Sequence, residues 1–165
     1  MSKFYRLGWV ILLLVFCTAV DQAAKAIARE ALASSPPLSY LGGIVLFIFA
    51  ENDGATLGLG ASLPHSTRML LSALTALLVL AATLFYTLQP QRLGWGQLSG
   101  LALISAGGVG NFLDRLFNHG AVVDFVSLGI GPLRTGIFNL ADVAVFAGVL
   151  LFFLFHRKTD LTRES

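Results

Sequence analysis

Two aspartates lie at the edges of long apolar segments in a chain that contains few charged residues. Asp124 follows Val122-Val123 in a short β-branched stretch, and Asp142 lies at the start of the last long apolar run. An ionisable group at the edge of a membrane-spanning segment is costly in lipid, so it usually faces protein or water and has a functional role. Two carboxyl groups that meet cannot both ionise cheaply; one retains a proton while the other can take a proton from water. The pair therefore predicts the chemistry of an aspartyl hydrolase.

The composition indicates where that chemistry would occur. Of 165 residues, 56% are hydrophobic and only 12% are charged, against roughly 25% charged in a soluble domain. An apolar segment of about 20 residues can cross a bilayer as a helix, because a helix satisfies its own backbone groups. Four such spans are predicted, the first of which carries polar residues at helical spacing: residues 7–28, 69–88, 93–113 and 137–156. We predict one integral membrane domain over residues 1–165, with a cytoplasmic tail at 157–165.

Charge favours one orientation of these spans, although weakly. With both termini in the cytoplasm, six Lys and Arg residues lie inside and five lie outside, which follows the positive-inside tendency. Both long loops, residues 29–68 and 114–136, then lie on the periplasmic side. The first apolar run imitates a signal peptide, but we expect it to be retained as a span. The net charge of +2 fits this topology, and no basic cluster indicates nucleic-acid binding.

The two long loops contain strand and turn patterns. The stretch from Leu38 to Ala50 is rich in Ile, Val and Phe but too short to span, and Gly42-Gly43 interrupts it. We therefore predict strands packed against the membrane surface. A short strand is also predicted from Ala121 to Val126. Turns are predicted from their Asn, Asp, Gly and Pro residues at 51–54, 118–120 and 129–132.

Further polar residues gather at the predicted periplasmic ends of spans one, three and four. Within each group the residues are three or four apart and share a helix face: Asp21 with Lys25, Asn111 with Asp114 and Arg115, and Asn139 with Asp142. Of the nine acidic residues, only Asp160 and Glu164 lie in the tail, away from this surface. The convergence indicates a site rather than a solvated surface.

Five motifs in order along the chain carry a resemblance to a known family. They are Asp21-Gln22-x-x-Lys25, Asn52-x-Gly54-Ala55, Gly107-Gly108-x-Gly110-Asn111-x-x-Asp114-Arg115, Val122-Val123-Asp124-Phe125 and Phe138-Asn139-x-Ala141-Asp142. Together they resemble bacterial lipoprotein signal peptidase, or signal peptidase II, over about residues 7 to 156. Each motif is weak alone, whereas all five at the predicted span ends form a specific signal.

The resemblance implies a fold, an activity and roles for individual residues. The family fold is an α-helical membrane protein with four transmembrane helices, a small periplasmic β-cradle and a short periplasmic helix. The family enzyme removes the signal peptide of a prolipoprotein just before its diacylglyceryl-modified cysteine. Asp124 and Asp142 would form the catalytic dyad. Substrate binding or support of the site is implied for Asn52, Gly54, Asn111, Arg115 and Asn139, and structural support for Asp21, Lys25, Asp114 and Ala141.

The same resemblance sets the expected partners and location. We expect diacylglyceryl-prolipoprotein substrates, contact with membrane lipid, no cofactor and no metal, in a monomer. The protein would be a multi-pass component of the bacterial inner membrane, with its active site near the periplasmic face. The three histidines are scattered without a His-Glu-x-x-His motif, so zinc is not expected. No serine occupies a Gly-x-Ser-x-Gly turn, which disfavours a serine nucleophile.

Other interpretations of these residues stay open at the level of sequence. Asp124 could be a turn residue, Asp142 could cap a helix, and Asp114 with Arg115 could form an ordinary interfacial ion pair. A small transporter would thread polar residues through the middle of several spans, but residues 143–155 contain none. A catalytically inactive relative that only binds lipoprotein precursors would not need the intact pair of aspartates.

Overall fold

Four long helices account for most of the chain, and a small antiparallel sheet is formed by the segments between them. The computed structural model describes residues 3–53, 63–89 and 92–161, with side chains through Phe155. In chain order the elements are α1 Lys3–Leu32, β1 Leu38–Tyr40, a 3-10 turn Leu41–Gly43, β2 Val45–Asn52, α2 His65–Leu88, α3 Trp95–Phe117, β3 Val122–Ile130, β4 Leu133–Arg134 and α4 Leu140–Leu161.

The helices differ in how well they suit lipid on all sides. Among the described residues, α1 and α2 are long and apolar enough to cross a membrane, and the apolar part of α4, Leu140–Phe155, is shorter. α3 packs against α1, α2 and α4. Because neighbouring helices cover it, α3 tolerates the polar residues that serve the site. The four helices overlap the four predicted spans, whose limits within lipid stay a prediction.

α3 and α4 approach closely because glycines lie at their contact. A Cβ added at Gly100 would lie 2.6 Å from the carbonyl oxygen of Gly148 on α4. Small residues let helix backbones meet in a membrane, where packing replaces the hydrophobic effect as a source of association. This close contact places the start of α4 beside the polar end of α3.

The sheet has the antiparallel strand order β1-β2-β3-β4. Val123 and Phe125 of β3 form a buried cluster with Ala28 and Leu32 of α1. Successive residues of a strand point to opposite faces, so Asp124, between these two, points away from α1. Packing of β3 on α1 thus directs the intervening carboxyl toward the opposite face of the sheet.

Sheet pairing overrides several predicted boundaries. Glu51 and Asn52, predicted as part of a turn, belong to β2, where they pair with Val123 and Val122. The strand predicted to end at Val126 continues to Ile130, and the predicted turn residue Gly129 pairs instead with Arg134. These predictions were wrong because cross-strand partners, which lie far away in sequence, outweigh local turn preference.

Other boundaries agree more closely with the predictions. The turn at residues 118–120 is present, with φ angles of 51° at His119 and 91° at Gly120. α4 begins at Leu140, later than the predicted start at residue 137, because Phe138 still bridges to Val126 of β3. Among the described residues between α1 and α2 and between α3 and α4, the 3-10 turn is the single helical element. Residues 54–62, which include the predicted site residue Gly54, lie outside the described residues.

Candidate active site

Asp124 and Asp142 line one cavity of about 240 Å³, where the sheet meets α3 and α4. Three further predicted site residues line the same cavity: Asn52 from β2, and Asn111 and Arg115 from α3. Arg115 donates from Nη1 to the backbone carbonyl of Asn111 at 3.2 Å, which ties its guanidinium to the helix. Residues from four separate elements therefore converge on the two carboxyl groups.

Hydrogen bonds at the first turn of α4 orient Asp142. Asn139 Oδ1 accepts the backbone N–H of Asp142 at 2.9 Å, and Asp142 Oδ2 accepts the backbone N–H of Asn139 at 3.2 Å. This reciprocal arrangement is a capping box, which satisfies amides that the first helical turn leaves unpaired. The carboxylate also lies at the positive end of the helix dipole, which stabilises negative charge there. Asp142 thus caps the helix and also lines the cavity.

Asp124 lies within β3 and is held by two side-chain amides. Its Oδ1 accepts a hydrogen bond from Asn139 Nδ2 at 2.6 Å, and its Oδ2 accepts one from Asn52 Nδ2 at 2.9 Å. Burial raises the pKa of Asp124 from 3.8 to about 6; the charge of Asp142 adds to the increase, and the two amide hydrogen bonds oppose it. The alternative of Asp124 as a turn residue is wrong, and this carboxyl retains its proton to higher pH than an exposed aspartate.

Asn111 connects the two aspartates to a buried cluster of charges. Its Nδ2 donates to Asp142 Oδ1 at 3.0 Å. Its Oδ1 accepts from Asn139 Nδ2 at 3.1 Å and from Lys25 Nζ at 3.0 Å. These contacts fix the orientation of the Asn111 amide, so it presents a donor, and not an acceptor, to Asp142.

The buried cluster consists of Lys25 between Asp21 and Asp114. Lys25 Nζ lies 2.8 Å from Asp21 Oδ2 and 3.1 Å from Asp114 Oδ2, and the lysine side chain is 3% exposed. Asp21 Oδ1 accepts the backbone N–H of Ala141 at 2.8 Å, and Asp114 Oδ2 accepts that of Val123 at 2.9 Å. Buried charges are tolerated when they are paired and hydrogen-bonded in this way. Ala141 and Val123 immediately precede the two aspartates of the cavity, so the cluster holds the backbone that carries each of them.

Sequence reasoning gave no role to two residues that complete this cluster. Gln22 donates from Nε2 to Asp114 Oδ1 at 2.9 Å and to the backbone carbonyl of Gly110 at 3.2 Å. A Cβ added at Gly110 would lie 2.7 Å from Asp21 Oδ2, so only glycine fits there without a shift. The signal for Gln22 was its position between Asp21 and Lys25, three residues from Lys25 on the same helix face.

The alternative that the sequence left open for Asp114 is also decided by these contacts. Asp114 forms its ion pair with Lys25 on α1, rather than the interfacial pair with Arg115 that the sequence left open. Among the described residues, no group of three or more His, Cys, Asp and Glu side chains is arranged to hold a metal ion.

Comparison with known proteins gives a consistent result. A family model described as signal peptidase (SPase) II matches residues 13–157. The lipoprotein signal peptidase of Sphingopyxis alaskensis is 36% identical over 156 residues, covering 91% of this chain and 84% of that protein. That of Moorella thermoacetica is 35% identical over 143 residues, covering 86% and 87%.

Two solved structures, each of a bacterial membrane enzyme, have the same fold as this chain. The first has a TM-score of 0.78 at 25% identity and covers 96% of this chain and 92% of its own. The second has a TM-score of 0.74 at 26% identity and covers 89% of this chain and 91% of its own.

Proposed function

The chain belongs to the signal peptidase II family, and we propose that Asp124 and Asp142 are its catalytic dyad. The protein is a peptidase that removes the signal peptide from lipoprotein precursors. The observation that carries the proposal is the side chain of Asn139, which is fully buried and joins the two carboxyl-bearing segments. It donates to Asp124 and accepts from the backbone of Asp142, so both aspartates share one cavity and one fixed amide.

The surroundings of the two aspartates favour a different protonation state for each, as hydrolysis requires. Burial keeps a proton on Asp124 to higher pH, and the start of α4 stabilises negative charge on Asp142. Ionised Asp142 takes a proton from water, which attacks the scissile carbonyl, while protonated Asp124 donates a hydrogen bond to the carbonyl oxygen. The tetrahedral intermediate then collapses as Asp142 returns its proton to the departing amine.

The neighbouring amides orient the dyad without competing with it as bases. Asn52 holds Asp124, Asn111 holds Asp142, and Asn139 contacts both. The Arg115 guanidinium lines the same cavity and offers donors to substrate carbonyl groups. For Gly54 the Asn52-x-Gly54 motif implies a role in substrate binding or in support of the site. Asp21, Lys25, Asp114 and Ala141 support the backbone on which the dyad is carried.

The substrate is the diacylglyceryl-modified form of the precursor. The cavity lies where the sheet joins the helix ends, so a lipid anchored in the bilayer would hold the modified cysteine at the depth of the carboxyl groups, which is a proximity effect. The described residues of a single chain provide both carboxyl groups and their amide partners, which supports a monomer.

Cleavage of matched precursors tests this function. Purified protein in lipid nanodiscs should cut a diacylglyceryl-modified precursor just before the modified cysteine, and cut the unmodified precursor far more slowly at equal membrane concentration. Mass spectrometry of both products gives the cleavage site. Equal rates for the two forms would contradict lipoprotein specificity, and a cut elsewhere would contradict the assigned reaction.

The site faces the periplasm from the inner membrane, with both termini in the cytoplasm. The weak excess of basic residues on the short-loop side supports this orientation. Cysteine placed at position 44, an exposed position before β2, in a Cys17→Ala background should react with an impermeant thiol reagent in intact spheroplasts. Protection at position 44 together with labelling of a cysteine in the tail would invert the topology.

A further inference from the structure

One wall of the cavity is formed by the segment of chain that precedes α4. Residues 135–138 follow β4 and lead through Asn139 to α4, and all four line the cavity. The two ends of this segment are tied to β3: the N–H of Thr135 donates to the carbonyl of Leu128 at 2.7 Å, and the N–H of Phe138 donates to that of Val126 at 2.8 Å. We call these four residues the 135–138 strip.

The middle of the strip has peptide groups without hydrogen-bond partners among the described residues. Neither Gly136 nor Ile137 forms a hydrogen bond with any residue that the structure describes. Neighbouring residues of an extended chain direct their peptide groups to opposite sides. Because Phe138 is bonded to β3 through both its N–H and its carbonyl, the peptide groups of Ile137 are directed away from β3. A Cβ added at Gly136 would meet nothing within 4 Å, so the space beside the strip is open.

Unpaired peptide groups beside a half-enclosed cavity are ready to bind another backbone. An extended peptide that adds to an exposed strand edge gains main-chain hydrogen bonds and satisfies its own peptide groups as it leaves water. A precursor peptide entering this cavity needs such partners for the residues next to its scissile bond. The strip lines the same cavity as Asp124 and Asp142.

We propose that the peptide groups of Ile137, beside the open space at Gly136, bind the backbone of the precursor, so that the residues flanking the scissile bond lie along the 135–138 strip as an added strand. This inference rests on the proposed function. The strip leads through Phe138 directly into Asn139, which contacts both sides of the dyad. A peptide aligned on Ile137 is therefore aligned on Asp124 and Asp142, and its scissile carbonyl is positioned by backbone contacts.

Backbone binding also has a consequence for specificity. Main-chain hydrogen bonds form with almost any residue, so precursors that differ in side chains would be held in the same way. The lipid would set the depth of the cysteine, and the strip would set the alignment of the chain. Selectivity would then depend on the modification and on an extended conformation, and little on sequence.

A series of esters in the substrate tests the strip in the unaltered enzyme. In a diacylglyceryl-modified precursor peptide, each amide within three residues of the scissile bond, but not the scissile amide itself, is replaced singly by an ester. The replacement removes one N–H donor with little change in bulk. Losing one hydrogen bond should lower kcat/KM about three- to tenfold, at one position only, because Ile137 alone directs its carbonyl away from β3.

The outcomes of this series are distinct. Values of kcat/KM within twofold of each other for all esters would overturn the proposal, as would losses at consecutive positions. If the parent peptide, with its lipid and unmodified backbone, is not cleaved, the proposed function fails and the strip with it. If the parent is cleaved and all esters have similar kcat/KM, the proposal about the strip is wrong and the proposed function stands.

A pair of variants at one position separates backbone from side chain. Ile137→Pro removes the N–H and places the proline ring on the pairing edge, whereas Ile137→Ala shortens the side chain and keeps the peptide group. We expect Ile137→Pro to lower kcat/KM about tenfold relative to Ile137→Ala, because the N–H that would donate to the precursor is lost. Equal kcat/KM in folded Ile137→Pro and Ile137→Ala would contradict the proposal. If thermal melting indicates that Ile137→Pro does not fold, the ester series on the wild-type enzyme decides.

Discussion

Asp142 is held by the start of a helix and Asp124 by a strand, and the two depend on the chain in different ways. Asp142 is oriented by Asn139, three residues away, through a capping box that any Asn-x-x-Asp sequence at a helix start could form. Asp124 depends on Asn52, which is 72 residues away, and on sheet pairing with β2. In the proposed dyad, local geometry therefore makes a larger contribution to the position of Asp142, which Asn111 also contacts, than to that of Asp124.

The buried charge cluster joins these two arrangements. Asp21 holds the amide before Asp142, Asp114 holds the amide before Asp124, and Lys25 pairs with both carboxylates. Lys25 thus stabilises the backbone next to Asp142, which a capping box orients, and the backbone next to Asp124, which sheet pairing positions. Experiments that remove single contacts can separate the contributions of the two.

The largest effect on stability is expected at Lys25. Lys25→Met leaves two carboxylates buried without their cation, which typically costs about 3–5 kcal/mol of unfolding free energy. The backbone next to Asp124 and the backbone next to Asp142 should both be destabilised, and thermal unfolding in detergent would detect this as a lower melting temperature. The matched control is Arg29→Met, because Arg29 lies 3.8 Å from Glu51 and both side chains are about half exposed; such a surface pair contributes about 1 kcal/mol or less. Equal losses in the two variants would contradict a structural role for the cluster.

The second effect concerns Asp124 alone and depends on pH. The pKa of Asp124 is about 6 in the folded protein, against an ordinary aspartate value of 3.8, so the folded state binds the additional proton between these limits. Its contribution to the free energy of unfolding is therefore fully present below about pH 4 and is lost as the pH rises to about 6. The loss amounts to about 3 kcal/mol for a shift of this size.

Comparing wild type with Asp124→Asn isolates this contribution from those of other groups. The variant has no proton to release at this position, so its stability should fall less between pH 4 and pH 6 than that of the wild type. Thermal unfolding at a series of pH values gives the two slopes. Parallel slopes would mean that burial does not raise the pKa of Asp124.

The smallest effect separates the two arrangements at Asn139. Its Oδ1 caps α4 and its Nδ2 contacts Asp124. Asn139→Ala removes both contacts and should cost about 1 kcal/mol of stability through the lost cap. Asn139→Ser restores a capping oxygen but cannot reach Asp124 in the same way, so stability should recover while kcat stays at least tenfold below wild type. Recovery of kcat along with stability would assign Asn139 a capping role only.

The same contrast explains how much could be predicted from sequence. The pairs Asp21 with Lys25 and Asn139 with Asp142 lie within one helical turn, so their spacing alone indicated that they meet. The contact between Asn52 and Asp124 crosses the fold, and only the order of the motifs and their predicted side of the membrane pointed to it. The extents of β2 and β3 were missed because strand ends depend on distant partners, as at Glu51 and Gly129. That the peptide groups of Ile137 lack partners among the described residues could not be predicted from sequence, because every residue has peptide groups and only the fold determines which of them are paired.

The central claim is that Asp124 and Asp142 act as one unit, and cleavage by single and double variants tests it most directly. Purified Asp124→Asn, Asp142→Asn and the double variant are assayed on the diacylglyceryl-modified precursor, with thermal unfolding as the control for folding and Asp53→Asn, at an exposed position, as the control for charge. Each single variant should lose essentially all turnover, and the double variant should be no less active than the weaker single variant, because residues that act together are not additive. Turnover above about a few per cent of wild type in either folded single variant would remove that aspartate from the catalytic role.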